Sequence, residues 1–562
     1  MQGFDRRRAQ AREVTMSSDL AGPARSWLAQ DPDPDTRAEL TELLERGDGD
    51  ALRERFGAKL EFGTAGLRGE LGAGPNRMNR VTVMRAAAGL ARVLGPGRHV
   101  VIGYDARHKS DVFARDTAAV LTGAGLRASV LPAPLPTPVL AFAVRHLGAD
   151  AGVTVTASHN PPRDNGYKVY WGDGSQIVPP IDAEISAAID AVGPVSELPL
   201  GSPDDPAWTA LDDGVVTAYL EAVTALPIGT ARGLRVAYTP LHGVGGDTLA
   251  RAFAAAGFDA PAVVEAQAAP DPDFPTVAFP NPEEPGAMDL ALELAERIGA
   301  DLILANDPDA DRCAVGVPLP GGGYRMLTGD EVGALLGEHV IGQTSGEDRL
   351  VATTIVSSSL LGKIAAGYGV RYAETLTGFK WIMKAGPGLL FGYEEALGYS
   401  VGSDLGLPVH DKDGIGAALT VAGIAAGARL EGRGLLDLLD DLARRHGLHA
   451  TSQLSFRVAD LSLIAGAMAR LRATPPTRLA GREVETAEDL SEGTGGLPPT
   501  DGLRYHLSGG ARVVVRPSGT EPKLKCYLEV VVPVADEVAE ARMRAVRDLD
   551  ALKADLTKAL GL

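Results

Sequence analysis

Cysteine is almost missing from this 562-residue chain, where only Cys313 and Cys526 occur. Two thiols cannot build a disulfide framework, so a reducing compartment fits best. Zinc-type Cys/His spacing is absent as well. A long apolar run is also lacking. The longest uncharged stretch, Ala128 to Val144, contains Pro132, Pro134, Pro136 and Pro138. Prolines at that density forbid a membrane helix, and the run is short for one. The polar, Arg-rich beginning (Arg6, Arg7, Arg8, Arg12) is followed by no apolar segment, so a secretory leader is not expected. A soluble, cytoplasmic protein with no membrane partner is the expectation.

Positive charge is in short supply. The 54 Lys and Arg face 73 Asp and Glu, a net charge of −19. A broad nucleic-acid face needs clustered basic residues, so nucleic acid is excluded as a partner. A few placed Arg and Lys can still hold a small anion. No Gly-x4-Gly-Lys-Ser/Thr string exists, which removes a P-loop. Gly123-Ala124-Gly125-Leu126-Arg127-Ala128 matches a dinucleotide string but precedes a strand instead of opening a helix.

What is present is globular, with 45% hydrophobic and 23% charged residues. The length implies several domains at roughly 100–200 residues each. Three stretches share a strand–loop–helix–Gly–strand pattern. They start at His99–Tyr104, Leu234–Tyr238 and Leu350–Thr354, and reach Gly125, Gly257 and Gly369 before the second strand. These glycines are 132 and 112 residues apart, so the repeat is one of whole domains. Such units give α/β domains with parallel or mixed sheets. A fourth region has strands at Leu454–Val458, Ala511–Val515 and Tyr527–Val532 and a helix from about Ala535, an α+β pattern. The expected domains are 1–213, 214–325, 326–448 and 449–562. Linkers are expected at Gly193–Gly214, Pro318–Gly323 and Arg445–Thr451.

Each region carries one chemically suggestive loop. Thr156-Ala157-Ser158-His159-Asn160-Pro161 follows the β-branched run Val153-Thr154-Val155, placing Ser158 just past a strand end, where α/β sheets bind ligands. It has no Gly-x-Ser-x-Gly frame, so a hydrolase elbow is not supported, and a phosphoryl acceptor or a plain turn both fit. Ten residues on, a hairpin with an Asp173-Gly174 turn could fold Lys168 back over the serine. Asp307, Asp309 and Asp311 follow the strand Asp301–Ala305 and would share one side of an extended chain. Three hard oxygen donors suit Mg²⁺. An EF-hand fails because Arg312 and Pro318 stand where its Gly and Glu belong. Glu394 and Glu395 follow an apolar run and could accept hydrogen bonds from sugar hydroxyls. Arg516-Pro517-Ser518-Gly519-Thr520-Glu521-Pro522-Lys523 offers a guanidinium, hydroxyls and open backbone N–H groups for a phosphate. In Phe62–Gly69 the glycines permit close backbone approach and Arg68 adds fixed charge.

Taken together, Thr-Ala-Ser-His-Asn-Pro, Asp-Pro-Asp-Ala-Asp-Arg, Gly-Tyr-Glu-Glu-Ala and Arg-Pro-Ser-Gly-Thr-Glu-Pro resemble the α-D-phosphohexomutase superfamily, in its order and over nearly the whole chain. Lys59–Gly69 and Asn76–Asn79 look like the branch of bacterial phosphoglucomutases and phosphopentomutase-like enzymes. The resemblance implies a heart-shaped α/β fold: three related mixed-sheet domains plus a C-terminal α+β domain around one cleft. It implies that Ser158 carries a phosphoryl group whose oxygen joins Asp307, Asp309 and Asp311 around Mg²⁺. Arg68, His159 and Lys168 would surround that group, with Lys168 as general acid/base. Arg312, Thr377, Gly378, Lys380 and Glu394 would face the sugar. Arg516, Ser518, Gly519 and Thr520 would hold the non-reacting phosphate. The implied reaction is a hexose 1-/6-phosphate mutase acting on glucose, and on mannose as well, through a sugar 1,6-bisphosphate. Ala396 stands where many members have Ser, which keeps (deoxy)ribose 1-/5-phosphate open as the alternative. A serine phosphatase using the same metal is a further alternative. Oligomeric state is not legible.

Overall fold

The computed structural model describes residues 20–61, 66–458, 460–518 and 523–561. The Arg-rich beginning and the first four residues of the Phe62–Gly69 loop lie outside the described residues. The first three sheets repeat one plan. Two strands flank a central one in parallel, and a fourth, antiparallel strand follows. In the first sheet the row is Arg127–Val130, His99–Tyr104, Ala151–Val155, Asp164–Trp171. In the second it is Ala262–Val263, Val236–Thr239, Leu302–Ala305, Ala314–Pro318. In the third it is Arg371–Thr375, Leu350–Thr354, Leu389–Glu394, Gly398–Val401. Central strands are apolar on both faces, as helix-covered parallel strands must be. Val100, Val101, Ile102, Leu302, Ile303 and Leu304 are all fully buried.

The repeat extends to the chemistry. In each unit the third and fourth strands form a hairpin. The hairpin loops are residues 156–163, 306–313 and 395–397, and they carry Ser158, the three aspartates and the residues after Glu394.

The fourth sheet is antiparallel throughout, in the order Leu448–Arg457, Lys523–Val532, Ala511–Pro517, Leu503–Leu507, Arg482–Asp489, Arg478–Leu479. Helix Val538–Leu560 buries Ala541, Ala545, Leu549, Leu552, Leu556 and Leu560, the 3–4 spacing of one apolar stripe.

Two expected linkers are structural. Within Gly193–Gly214, the strand Trp208–Ala210 joins the first sheet parallel to Arg127–Val130. Pro318–Gly323 is the turn of a hairpin closed by Tyr324–Met326. In both cases backbone pairing overrides a Pro- and Gly-rich composition.

The largest apolar cluster runs from Val101 to Leu442 and joins parts of the first three units. The rest of the first unit packs in two clusters of its own, one around Ile102 and Tyr167 and one around Trp27 and Val81. The fourth unit has a core of its own. It meets the third through a small patch containing Ile355, Val356, Leu376, Leu490, Val514 and Tyr527. Ionic contacts finish that joint. Arg504 and Arg512 lie 3.0 and 2.9 Å from Glu374, and Glu529 accepts from Ser358 Oγ at 2.6 Å. Among the described residues, no helix is long and apolar enough to cross a membrane.

Candidate active site

Ser158 sits at the tip of the first hairpin loop, buried, with φ of 51°. Its Oγ donates to Asp307 Oδ2 at 2.8 Å and lies 3.1 Å from His159 Nδ1. The serine loop and the metal-type loop, 149 residues apart in sequence, are thereby in contact. Lys168 reaches the same point by a different route from the expected one. It lies on the antiparallel strand opposite Thr154, so the hairpin whose loop holds Ser158 also carries the lysine. The Asp173-Gly174 turn is at the far end and plays no part in this placement. Lys168 Nζ donates to Asp309 Oδ2 at 2.8 Å and to Asp311 Oδ2 at 3.2 Å.

The three aspartates are fully buried, and one carboxylate oxygen from each lies within 4.8 Å of the other two. They do not alternate along an extended strand. The loop turns through Ala310 at φ 53°, and that turn brings the carboxylates together. Burial and the charges of Asp309 and Asp311 push Asp307 well above the usual carboxylate range. Burial acts the same way on Asp311, but Lys168, Lys412 and Arg312 outweigh it and hold that carboxyl low. Burial opposes the charge of Lys168 too, and Asp309 and Asp311 more than restore it.

Asp309 Oδ1 and Asp311 Oδ1 are buried without a hydrogen-bond partner. Orphaned carboxylate oxygens in a clustered triad are the donor set of a hard divalent cation, and they are costly without one. The residues therefore fit a metal ion held by Asp307, Asp309 and Asp311.

Cations surround the triad. Arg68, on the strand Leu67–Glu70 opposite Gly166, donates to Asn160 Oδ1 at 2.9 Å. Arg312 lies 3.4 Å from Glu283. Arg68, Arg312 and Arg516 each keep a buried Nε with no partner. Such guanidinium N–H groups suit anionic oxygens. Burial, then Arg312 and Arg68, drives His159 well below its ordinary range, so it is neutral here.

Glu394 ends the third hairpin's first strand. Glu395, beside it, already has a partner inside the protein: its Oε2 accepts from Ser357 Oγ at 3.1 Å. Thr377 and Gly378 follow the strand Arg371–Thr375, and Lys380 is buried in the short helix Phe379–Ile382, its ammonium 5.9 Å from the Trp381 ring. Arg516 is the penultimate residue of the strand Ala511–Pro517, and Ser518 N donates to Lys523 O at 2.8 Å across the loop base. Gly519 and Thr520 lie outside the described residues. Tyr527, beside Arg516, and Glu395 border one cavity of about 470 Å³ between the second, third and fourth units.

Three site residues escape the sequence reading. Lys412 Nζ lies 3.1 Å from Asp311 Oδ2. It precedes Asp413, whose carboxylate caps the helix Gly414–Leu430 by accepting from Ile415 N and Gly416 N. Tyr170 donates to Asp411 at 2.7 Å and Tyr219 to Asp413 at 2.7 Å, so two other units clamp the segment. Thr137 Oγ1 donates to Asp309 Oδ2 at 2.8 Å. Arg107 is buried beneath the serine loop. Only Arg107 left a readable signal, as a charged Asp-Ala-Arg directly after a buried strand.

Comparison with known proteins agrees with this geometry. Family models for the phosphoglucomutase/phosphomannomutase alpha/beta/alpha domains I, II and III match residues 59–194, 217–320 and 328–446, and the C-terminal domain model matches 457–547. A Haemophilus influenzae protein named "Probable phosphomannomutase" is 46% identical over 80% of this chain and 93% of its own. The Mus musculus phosphopentomutase is 34% identical over 95% and 94%. The crystal structure of a Thermus thermophilus protein titled "putative phosphomannomutase" superimposes with a TM-score of 0.65 at 27% identity, over 88% of this chain and 99% of that one. All four units are accounted for, and the chain belongs to the phosphoglucomutase/phosphomannomutase family of phosphotransferase isomerases.

Proposed function

We propose that this enzyme moves a phosphoryl group between the anomeric and terminal oxygens of an aldose phosphate, with Ser158 as the carrier and a sugar bisphosphate as the intermediate. One observation carries the reading: Ser158 Oγ lies 2.8 Å from an aspartate of a buried triad, with unpartnered carboxylate oxygens and unpartnered guanidinium N–H groups around it. That arrangement suits a phosphoserine beside a cation.

Asp307, Asp309 and Asp311, beside Ser158, would hold Mg²⁺, which would supply positive charge to the transferring group. The chain's own residues do the rest. Arg68 and Lys168 balance charge on the equatorial oxygens, where phosphoryl transfer needs it. The O–P bond at Ser158 breaks as a sugar hydroxyl oxygen takes the phosphoryl group. Lys168 relays the hydroxyl proton to the serine oxygen. Glu394 accepts sugar hydroxyls, and Arg312, Thr377, Gly378 and Lys380 complete the sugar contacts. Arg516, Ser518, Gly519 and Thr520 grip the distal phosphate, and the bisphosphate reverses end for end before the return step. Exclusion of water by the fourth unit separates a mutase from a phosphatase.

For the sugar, (deoxy)ribose 1-/5-phosphate is favoured over hexose 1-/6-phosphate. Ala396 offers no hydroxyl beside Glu394, and the loop therefore has one fewer donor for a hexose ring. Phosphopentomutase and phosphoribomutase are the names of several relatives spanning about nine-tenths of the chain or more. The hexose reading is supported by the 46% identical relative named for mannose phosphate. Equal concentrations of ribose 1-phosphate, glucose 1-phosphate and mannose 1-phosphate, assayed with Mg²⁺ and a trace of matching bisphosphate, decide between them. A pentose kcat/KM exceeding both hexose values is expected. A dominant hexose rate rejects the pentose preference, and stoichiometric release of free phosphate rejects the mutase.

A further inference from the structure

Eight non-glycine residues among those described have φ in the left-handed region. Seven of them, Lys109, Ser158, Leu241, His242, Phe274, Ala310 and Leu397, lie in the site loops or in loops packed against them. Backbone strain of this kind persists only where surrounding contacts impose it. One side chain joins several of these loops.

Arg107 follows the buried strand His99–Tyr104 and is itself buried. Its Nη2 donates to the carbonyls of Ser158 and Asn160, both at 2.6 Å. Its Nη1 donates to those of Pro161 and Asp164, at 2.8 and 3.1 Å. All four acceptors belong to the serine loop and its exit. A planar fork of donors can span them, and a single ammonium cannot. Asp105 balances the charge at 3.4 Å. The ring of Phe274, from the second unit, covers the guanidinium at 4.8 Å. Phe274 is buried and holds φ of 45° to do so. Lys109, two residues on, is tied to Asp33 and Asp35 at 3.1 and 2.6 Å, which fixes the same loop from the N-terminal helices.

We propose that Arg107 is the positioning residue that aims Ser158 Oγ, and that Phe274 locks it, so that the second unit governs the serine loop as well as the metal loop. The proposal rests on the reading that Ser158 carries the phosphoryl group. Arg107 reaches the serine through main-chain carbonyls, so its loss misaims the nucleophile without removing any ligand of the sugar.

Arg107→Lys keeps the charge facing Asp105 but cannot hold four carbonyls. A misplacement near 1 Å costs on the order of 100-fold. The expected result is that kcat falls by that factor and KM moves less than about threefold. Amide hydrogen exchange should quicken over residues 157–165 and stay unchanged in the strands His99–Tyr104 and Ala151–Val155. Phe274→Leu should show the same exchange pattern with a kcat loss of about 10-fold. Wild-type kcat and loop exchange in Arg107→Lys overturn the proposal. Faster exchange throughout the first sheet with kcat and KM changed together also overturns it, since that marks general loss of structure. If wild-type Ser158 takes no phosphoryl group from the bisphosphate, the functional reading fails, and the loop exchange of Arg107→Lys alone decides the positioning role.

Discussion

Adding one methyl group at Gly243 should disable the enzyme from outside the ligand set. Gly243 follows the strand Val236–Thr239, and the next residue, Val244, donates from its N–H to Pro308 O at 2.9 Å. Pro308 stands between Asp307 and Asp309. A Cβ on Gly243 would lie 2.5 Å from Pro308 O and 2.7 Å from its carbonyl carbon. Pro308 Cα is nearer still, and ordinary contact needs 3.4 Å, so the backbone of the metal loop must retreat by about 1.1 Å. Overpacking of this type costs about 1–3 kcal/mol. The retreat moves the flanking aspartates by a similar distance, which should lower kcat on the order of 100-fold. The assay is mutase turnover against a Mg²⁺ titration, with melting followed in parallel. Gly193→Ala is the control, because nothing lies within 4 Å of a Cβ there. Half-saturation for Mg²⁺ should rise in Gly243→Ala and stay put in the control. A Gly243→Ala enzyme with kcat within about threefold of wild type would refute the claim that this contact sets the metal loop.

Ser158→Ala should keep its fold and lose turnover by at least about 1,000-fold; mass analysis after incubation with the bisphosphate should find no phosphoryl adduct, and a surviving adduct would remove Ser158 as carrier. EDTA should silence the enzyme and Mg²⁺ restore it. Asp309→Asn should shrink the rise in melting temperature that Mg²⁺ gives the wild type, as binding linkage requires, and an undiminished rise would place the cation elsewhere. Burial, then the neighbouring Glu394 charge, pushes Glu395 up to about 7. The folded protein therefore holds this proton more tightly than the unfolded chain. Its contribution is complete below the unfolded pKa of 4.5 and is lost as pH rises to about 7, at roughly 1.4 kcal/mol per unit. Glu395→Gln should flatten that part of a urea-denaturation profile while keeping the Ser357 contact; an unchanged slope assigns the pH dependence to another group.

The sequence is most legible where chemistry is written in consecutive residues. Ser158 and the aspartate loop follow buried strands, and charged or nucleophilic groups there stand out against the apolar run. Lys412 and Thr137 were invisible because nothing local marks them. Thr137 is 172 residues from its partner Asp309, and Lys412 looks like part of a helix cap. Strand Arg482–Asp489 was missed for another reason: REVETAED has almost no apolar alternation, and backbone pairing with Leu503–Leu507 holds it in place. Trp208–Ala210 was hidden inside a stretch of turn residues and is ordered by a sheet edge that the local sequence does not encode.

The division of the apolar interior also bears on how members of this family can exchange parts. The largest apolar cluster draws residues from all of the first three units, so a crossover between parents inside it would set two differently shaped halves of one packing problem against each other. The fourth unit brings its own core and meets the rest through six apolar residues and a few charge pairs. The short His446-Gly447-Leu448 junction is thus the natural seam for recombination. A chimera cut there has only to match Glu374, Ser358 and that patch, which makes the fourth unit the part of this enzyme most readily replaced as a module.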